Sequence, residues 1–400
     1  MIATAQKHTV QRHTVLDCRL AAKAVAKKLK ETAIERDRKA GIPNYEVNLL
    51  REAGLLPLIV PKSYGGLGAS WIDAMAIIKE LAKGDSAAAQ LYGYHVLLSA
   101  TPQLSGTPEQ AKAFYRETAQ HNLFWANAIN IRDTRLRIAS DGDHYRVNGA
   151  KSFCTGAAVA DRIICTAIEG DNPIPVLFVL PRNRAGLTYN HDWDVMGQRR
   201  TASGSFTFEN VTVKATDILG PPENPEGAAA TLLGMFGLLL LSHIFLGIAE
   251  GTLESAMDYT RTQSRHWLTS GVDKAVEDPH LLRHYGNLWA QLQGANALAA
   301  QATAQAQQAW DKGNALTHEE RGEVAIAAAS AKSLTTNTGL VITNQIFELM
   351  GARSAAACYG FDRYWRDLRT LSLHDPLDYK LQEIGNWVLN GKAPVPTPYA

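Results

Sequence analysis

GARSAAACYGFDRYWRDLRTLSLHDPLDYK, residues 351–380, is the stretch around which the rest of the chain is organised. Its arginines supply fixed positive charge and its aromatic side chains supply stacking surface. After the arginine-rich segment, His374 stands on a turn that Asp375 and Pro376 close. Because proline cannot continue a helix, this turn is expected to hold the segment at a defined angle. Imidazole titrates near neutrality, so His374 is a candidate proton-transfer group, with an ordinary solvated histidine at a helix end as the alternative.

Length, charge and cysteine usage limit the class of protein. The 400 residues exceed the size at which one hydrophobic core usually stops growing, so several packed subdomains are expected. The formal net charge is +1 without long Lys/Arg runs, which argues against nucleic acid or an anionic membrane as a partner. The cysteines are scattered without metal-binding spacing, and the N-terminus has no basic-then-apolar leader. These features predict a cytoplasmic protein with reduced thiols.

One apolar run is long enough to suggest a membrane span. Residues 228–248 read AAATLLGMFGLLLLSHIFLGI. The run contains Ser242 and His243, lacks flanking basic anchors and continues into an amphipathic segment. These features favour a buried core helix over a membrane helix.

Hydrophobic periodicity divides the chain into three predicted parts. Residues 1–122 carry helical patterns throughout. In residues 123–222 apolar and polar residues alternate between Gly and Asp bends, which predicts about six or seven short antiparallel strands in a small barrel or sandwich. Residues 223–400 return to long helical patterns joined by short turns, which predicts an antiparallel four-helix bundle. The predicted fold class is therefore α+β.

Motifs for metal, nucleotide and covalent chemistry are absent from the sequence. The glycines at 65–68 lack the GxGxxG spacing and predict a tight turn before a helix. His280 and His284 are spaced i, i+4, but no third ligand stands near them in sequence, so no metal site is expected. There is no HExxH, GxSxG or Walker motif. Difficult chemistry would therefore need an organic cofactor.

Several segments resemble known signatures at collinear positions. Four of them resemble the acyl-CoA dehydrogenase family, namely VPKSYGGLG (60–68), VNGAKSFCTGA (147–157), FELMGARS (347–354) and RYWRDLRT (363–370). Four more resemble the branch of two-component flavin-dependent monooxygenases typified by dibenzothiophene monooxygenase, namely GYH (93–95), FCTGA (153–157), YTRTQSRHW (259–267) and LHDP (373–376). The resemblance implies an N-terminal helical domain, a central antiparallel β-barrel and a C-terminal four-helix bundle.

The same resemblance implies a reaction and its partners. Reduced FMN, with FAD as the alternative, would come from a separate NAD(P)H-dependent flavin reductase to a homotetramer. Molecular oxygen would add to the reduced flavin as a C4a-hydroperoxide, which would oxygenate a small hydrophobic organosulfur or indole-type aromatic substrate.

The resemblance also implies catalytic residues. His95 and His374 match the histidines that line the flavin–substrate space, although an isolated histidine in an apolar helix is more often a hydrogen-bonded core residue. Asn127 and Thr155 match contacts to the flavin, and Phe153 and Thr155 belong to the strand that faces its ring. The matching residue in dibenzothiophene monooxygenase is Ser where this chain has Thr155, and the extra methyl group changes the pocket shape.

Further residues are implied for binding. The FMN phosphate is expected at four positions near helix ends, namely Arg265, Gly351, Ala352 and Arg353, because guanidinium groups make paired hydrogen bonds to phosphate. The substrate pocket is expected to be apolar and edged by aromatic side chains, namely Tyr92, Tyr94, Trp125 and Trp267.

Three other functions compete with the oxygenation of sulfur or of an aromatic ring. An acyl-CoA dehydrogenase needs a carboxylate base, and the usual Glu is missing where His374 and Asp375 stand, although Asp375 could serve as the base. An N-hydroxylase of an amine or amino sugar would use the same scaffold. A catalytically idle flavin-binding homologue is the third alternative. The sequence favours the monooxygenase.

Overall fold

The computed structural model describes residues 14–172 and 174–397, with helices at both ends of the chain and a sheet between them. The N-terminal helices are α1 (Val15–Lys39), α2 (Asn44–Glu52), α3 (Trp71–Gly84), α4 (Ser86–Ser105) and α5 (Pro108–His121). Capping boxes begin α1, α3 and α5, at Thr14, Ser70 and Thr107. The Asp85 side chain caps α4 by accepting from the backbone N–H of Ala88.

The glycine turn before α3 is structural. Gly65 adopts the left-handed conformation with φ of +92°, which favours glycine. A Cβ on Gly66 would lie 2.1 Å from the carbonyl oxygen of Val60, so only glycine fits this close approach. The turn leads into α3 at Trp71, as the sequence predicts.

The central sheet follows α5. Its strands are β1 (Trp125–Ala128), β2 (Arg137–Asp141), β3 (His144–Lys151), β4 (Arg162–Glu169), β5 (Val176–Pro181), β6 (Leu187–Tyr189) and β7 (Phe206–Lys214). The strand order is β1-β4-β2-β3-β7-β6, with β5 paired to β4. β2 and β3 form the hairpin predicted from DGDHYRVNGAK, in which Ile138 pairs with Val147.

The sheet is mixed, which corrects the prediction of an antiparallel barrel. β1 and β2 both run parallel to β4, since Ala126 pairs with Ile163 and Ile138 pairs with Glu169. The remaining described strand pairs are antiparallel. Apolar–polar alternation indicates which face of a strand is buried, but strand direction depends on how the connections cross the sheet.

The C-terminal helices are α6 (Leu232–Thr262), α7 (Pro279–Lys312), α8 (His318–Met350), α9 (Asp362–Ser372) and α10 (Leu377–Asn390). The first, second, third and last of these lie within a few residues of the four predicted bundle helices. α8 contacts all the others in this group, and it is therefore the central helix. α9 carries the arginine-rich segment.

The long apolar run forms a core helix. Residues 228–262 are long and apolar enough to cross a membrane, but 83% of the most apolar window is buried inside the protein. α6 packs against α3, α4, α7 and α8, and every residue from Leu238 to Ala249 is buried. This burial agrees with the prediction of a core helix.

Buried ion pairs join the N-terminal helices to the loop before β7. Nη1 of Arg36 lies 2.7 Å from Oε1 of Glu46 and 2.5 Å from Oδ2 of Asp85. Glu46 is fully buried and also accepts from Nε of Arg200 at 2.8 Å. The Arg36 charge therefore compensates two carboxylates that have little access to water.

A second buried contact joins the same loop to α9. The Asp367 carboxylate accepts from the backbone N–H of Gln198 at 2.6 Å and from the hydroxyl of Ser86 at 2.9 Å. A Cβ on Gly197 would lie 2.1 Å from the carbonyl oxygen of Arg366, so the loop packs directly on the helix backbone. Arg366 itself bonds Asp37 of α1 at 2.6 Å. The arginine-rich segment thus holds the subdomains together.

Replacing Arg36 tests this network. Arg36→Met leaves the buried Asp85 carboxylate without its closest cation, so the free energy of unfolding should fall by about 3–5 kcal/mol. Urea denaturation at pH 7 measures the loss. Arg19→Met is the matched control, because Arg19 is half-exposed in its ion pair with Asp73 and should cost about 0–1 kcal/mol. Equal losses in the two variants would show that the network contributes no more than a surface pair.

Candidate active site

His374 lies on the short turn between α9 and α10. α9 ends at Ser372 and α10 begins at Leu377, directly after Pro376, so the turn ends at the proline as predicted. The His374 side chain is 38% exposed and its Nδ1 lies 3.1 Å from Oδ1 of Asp375. The Asp375 side chain is only 8% exposed. The turn therefore presents a partly accessible imidazole on a buried carboxylate.

Asp375 fixes the tautomer of the neutral His374 ring. Burial opposes the charge of Asp375, but the hydrogen bond from His374 and the charge of Lys332 outweigh it and lower the Asp375 pKa to about 2. An ionised carboxylate can only accept, so Nδ1 of His374 carries the hydrogen that it donates. In the neutral ring Nε2 is then the acceptor nitrogen.

Lys332 is a functional candidate that sequence reasoning missed. It lies on α8, is 1% exposed and forms an ion pair with the same Asp375 oxygen that bonds His374. Burial lowers the Lys332 pKa and the Asp375 charge opposes that shift. The available signal was its place among alanines and threonines on the buried face of a helix, where an unpaired lysine is not tolerated.

His95 does not fit the predicted proton-transfer role. It is fully buried in α4. Its Nε2 lies 2.8 Å from the carbonyl oxygen of Leu56, and its Nδ1 accepts from the backbone N–H of Trp125 at 3.0 Å. Burial lowers its pKa to about 4. Both ring nitrogens are thus engaged by backbone groups, so His95 is a core residue that holds β1 against α4.

The four residues predicted to edge an aromatic pocket occupy different environments in the structure. Tyr92 and Trp125 are fully buried, and they donate hydrogen bonds to the Leu55 carbonyl and the Thr118 hydroxyl. Tyr94 packs on the small apolar cluster around Trp125. Trp267 is 71% exposed beyond the end of α6. Tyr92 and Trp125 therefore belong to the core, and the sequence alone could not distinguish that position from a pocket wall.

The loop after β3 brings Phe153, Thr155 and Asn127 together. Phe153 is 61% exposed and adopts φ of +57°, a strained conformation for a bulky residue. Its ring meets Trp193 edge to face, with centroids 6.1 Å apart. Thr155 is buried, and its carbonyl accepts from the backbone N–H of Asn127 at 3.5 Å. An exposed aromatic ring on a loop that also carries a buried hydroxyl fits the stacking of a planar heterocycle such as a flavin.

The predicted phosphate residues lie near one another. The chain after α6 reaches the loop after α8, where the Ser264 hydroxyl donates to the Met350 carbonyl at 3.2 Å. The Arg353 guanidinium donates to the carbonyl of Gln263. Arg265 and the Gly351–Arg353 loop are exposed. The two predicted segments thus form one basic corner that suits a phosphate.

Other features of the described chain lie apart from these residues. An apolar groove between α6 and α7 is lined by Val276, Leu282 and Trp289, and none of the predicted site residues lines it. Within residues 14–172 and 174–397, no group of three or more His, Cys, Asp or Glu side chains could hold a metal ion. His280 and His284 lie on α7 without a third ligand from that set.

Comparison with known proteins identifies the family. The acyl-CoA dehydrogenase N-terminal domain matches residues 18–122, the middle domain matches residues 128–211 and the C-terminal domain matches residues 239–379. Together these matches cover most of the chain. The chain belongs to the acyl-CoA dehydrogenase family.

Three of the similar proteins are monooxygenases. SfnC of Pseudomonas putida, a probable FMNH2-dependent monooxygenase, is 40% identical over 95% of this chain and 96% of its own length. The structure of methanesulfinate monooxygenase MsuC from Pseudomonas fluorescens has a TM-score of 0.93 and 42% identity over 96% of this chain and 99% of MsuC. TdsC from Paenibacillus sp. A11-2, a dibenzothiophene monooxygenase, was solved with FMN and indole. It has a TM-score of 0.92 and 38% identity over 96% of this chain and 100% of TdsC. This chain is thus a flavin-dependent monooxygenase that uses reduced FMN.

The Asp375 pKa predicts a pH dependence of stability. Because this pKa falls from 3.8 to about 2 on folding, the Asp375 charge stabilises the fold above about pH 4, and the stabilisation is lost as pH falls toward 2. Asp375→Asn should lower the free energy of unfolding at pH 7 by about 2 kcal/mol. The difference in free energy of unfolding between Asp375→Asn and wild type should become smaller below about pH 4.

Urea denaturation of both proteins from pH 7 to pH 3 measures that difference in free energy of unfolding. Asp378→Asn, which removes an exposed carboxylate from the first turn of α10, is the matched control and should show no such narrowing. If the difference between Asp375→Asn and wild type stays constant with pH, the Asp375 charge does not stabilise the fold through its ion pair with Lys332.

Proposed function

We propose that this monooxygenase adds one oxygen atom to the sulfur of a small organosulfur compound of alkanesulfinate size, with His374 as its proton-transfer group. Bound reduced FMN supplies the two electrons that activate molecular oxygen. One oxygen atom goes to sulfur and the other leaves as water. The observation that carries the proposal is the partly exposed His374 imidazole held on the buried Asp375–Lys332 pair.

The same cluster argues against a dehydrogenase. That reaction needs a carboxylate that can remove a proton from carbon, which calls for a raised pKa and access to substrate. Asp375 is buried and paired with Lys332, and these partners lower its pKa to about 2. It is therefore a weak base. His374 is a partly exposed imidazole, a group that ordinarily titrates near neutrality, and is better suited to take and return a proton.

The other site residues bind and orient. Phe153 offers an exposed ring face for stacking on the isoalloxazine. Asn127 and Thr155 border its polar edge. Arg265 and Arg353 bind the phosphate, since the basic corner is exposed and both guanidinium groups can make charged hydrogen bonds.

We assign an alkanesulfinate-sized substrate on two grounds. MsuC, with 42% identity, is a methanesulfinate monooxygenase. Tyr92 and Trp125, which would have edged a wide aromatic pocket, lie in the core here. TdsC binds indole, so an indole-type aromatic is the second candidate substrate.

The assembly is proposed to be a homotetramer. Apolar side chains remain exposed along α7 and α10, namely Leu282, Trp289, Val388 and Leu389, and such surfaces are typical of contacts between copies. The phosphate corner is equally exposed, which agrees with a neighbouring subunit completing it.

Reduced FMN must reach the protein from a separate source, which we propose to be an NAD(P)H-dependent flavin reductase. The cytoplasmic location also stays a proposal. It is supported by Cys18, Cys154 and Cys165, which are buried as free thiols.

The reaction is tested with a flavin reductase, NADH, FMN and oxygen. Wild type should convert methanesulfinate to methanesulfonate, with dibenzothiophene and indole as comparison substrates. His374→Ala should lower product formation by about 10²–10⁴-fold, the usual contribution of general acid–base catalysis, and should leave reduced-FMN binding nearly unchanged.

His280→Ala is the matched control, because His280 lies on the exposed side of α7 and should keep full activity. Unchanged turnover in His374→Ala would remove the proposed role. Oxygenation of indole but not of methanesulfinate would shift the substrate to the aromatic class. No product from any substrate would favour a catalytically idle protein.

Arg265→Ala tests the phosphate corner. Loss of a hydrogen bond to a charged group should weaken reduced-FMN binding by about 1.5–3 kcal/mol. Anaerobic fluorescence titration measures the dissociation constant. Arg261→Ala is the matched control, because it removes an exposed arginine from the last turn of α6. It should leave the dissociation constant of reduced FMN unchanged. Equal affinity for wild type and Arg265→Ala would place the phosphate elsewhere.

A further inference from the structure

A chain of buried hydroxyl groups runs inward from Thr155. Oγ1 of Thr155 lies 2.9 Å from Oγ of Ser203. Oγ of Ser203 lies 2.8 Å from Oγ1 of Thr201, which lies 2.9 Å from the carbonyl oxygen of Gln198. The three hydroxyl-bearing residues are at most 6% exposed. The chain therefore ends on a group that can only accept.

The carbonyl at the end sets the direction of every bond. Each hydroxyl carries a single hydrogen to donate. Thr201 must donate to Gln198, because a carbonyl oxygen has no hydrogen. Ser203 must then donate to Thr201, and Thr155 must donate to Ser203. The hydrogen of Thr155 is thus used inside the protein, and its remaining lone pair is what it offers to a ligand.

The surrounding backbone holds this chain in place. The loop after β3 and the loop before β7 are joined by two bonds of 3.0 Å, from Cys154 N–H to the Gly204 carbonyl and from Gly156 N–H to the Thr201 carbonyl. Thr155 is β-branched, so its χ1 angle is restricted more than that of serine. The terminal Gln198 carbonyl also accepts from Nε1 of Trp193 at 3.0 Å. The hydroxyl of Thr155 is therefore prevented from turning freely toward a ligand.

We propose that Ser203 is a positioning residue that makes Thr155 an acceptor and so makes the site prefer reduced over oxidised flavin. This inference rests on the proposed placement of Thr155 beside the polar edge of the isoalloxazine. The reduced ring carries N–H on its central ring, where the oxidised ring has a bare acceptor nitrogen. An acceptor-only oxygen pairs with the N–H and faces the bare nitrogen lone pair to lone pair. A site with this polarity selects the cofactor form that the reaction consumes.

Anaerobic titration with oxidised and with reduced FMN tests the inference without turnover. The readout is the dissociation constant of oxidised FMN divided by that of reduced FMN, so a high ratio means a preference for reduced FMN. In Ser203→Ala the Thr155 hydroxyl loses its internal acceptor and can donate to the oxidised ring. The preference for reduced FMN should therefore fall by about threefold to tenfold, the range of one hydrogen bond. A tenfold fall corresponds to a decrease of about 30 mV in the potential of the bound flavin.

Ser205→Ala is the matched control, because the Ser205 hydroxyl donates to Asp192 at 2.6 Å and lies outside the chain. It should leave the ratio unchanged. Thr201→Val interrupts the chain one bond further from Thr155 with little change in volume. It should lower the ratio in the same direction, which keeps the test available if Ser203→Ala does not fold.

The outcomes separate this inference from the proposed function. A ratio that stays at the wild-type value in a folded Ser203→Ala or Thr201→Val protein would overturn the role of Ser203 and leave the monooxygenase reaction intact. A lower affinity for both flavin forms with the ratio unchanged would show a merely structural role. Failure of wild type to bind reduced FMN at all would count against the proposed function itself.

Discussion

The buried carboxylate of Asp367 joins the two sides of the site. One oxygen accepts from the backbone of Gln198 in the loop before β7, and the other accepts from Ser86 at the start of α4. Burial raises the Asp367 pKa to about 6, although the charge of Arg363 opposes that shift. The carboxylate is therefore mostly ionised at neutral pH and acts as an acceptor. Because α9 leads directly to His374, this one contact fixes the helix that carries His374 relative to the loop that supports Thr155.

The two polar groups of the site receive their direction in the same way. His374 donates from Nδ1 to the Asp375 carboxylate, and Thr155 donates through Ser203 and Thr201 toward a backbone carbonyl. In each case a buried group without a hydrogen accepts the hydrogen bond that the site residue donates. Reduced FMN carries an N–H that the oxidised form lacks, and an acceptor held in a fixed position at Thr155 suits that group.

Sequence patterns predicted much of the fold and part of the site. Helical periodicity correctly predicted helices on both sides of a central block of strands. Pro376 correctly predicted the turn between α9 and α10 that carries His374. The parallel direction of β1 and β2 relative to β4 was not predictable from alternation. His95 shows the corresponding limit for the site, because one apolar helix can direct a histidine into the core or toward a cofactor, and only the positions of Leu56 and Trp125 decide between them.

The sequence by itself determined the elements, the family resemblance and the identity of His374, Phe153 and Thr155 as candidates, because these depend on local periodicity, caps and short motifs. Tertiary structure alone decided that Lys332 supports the His374 turn and that Ser203 and Thr201 support Thr155. Lys332 lies 43 residues before Asp375 in the chain, and Ser203 lies 48 residues after Thr155. A buried ion pair or hydroxyl chain forms only when distant segments pack together, and it is the exclusion of water by that packing that gives each hydrogen bond its direction and strength.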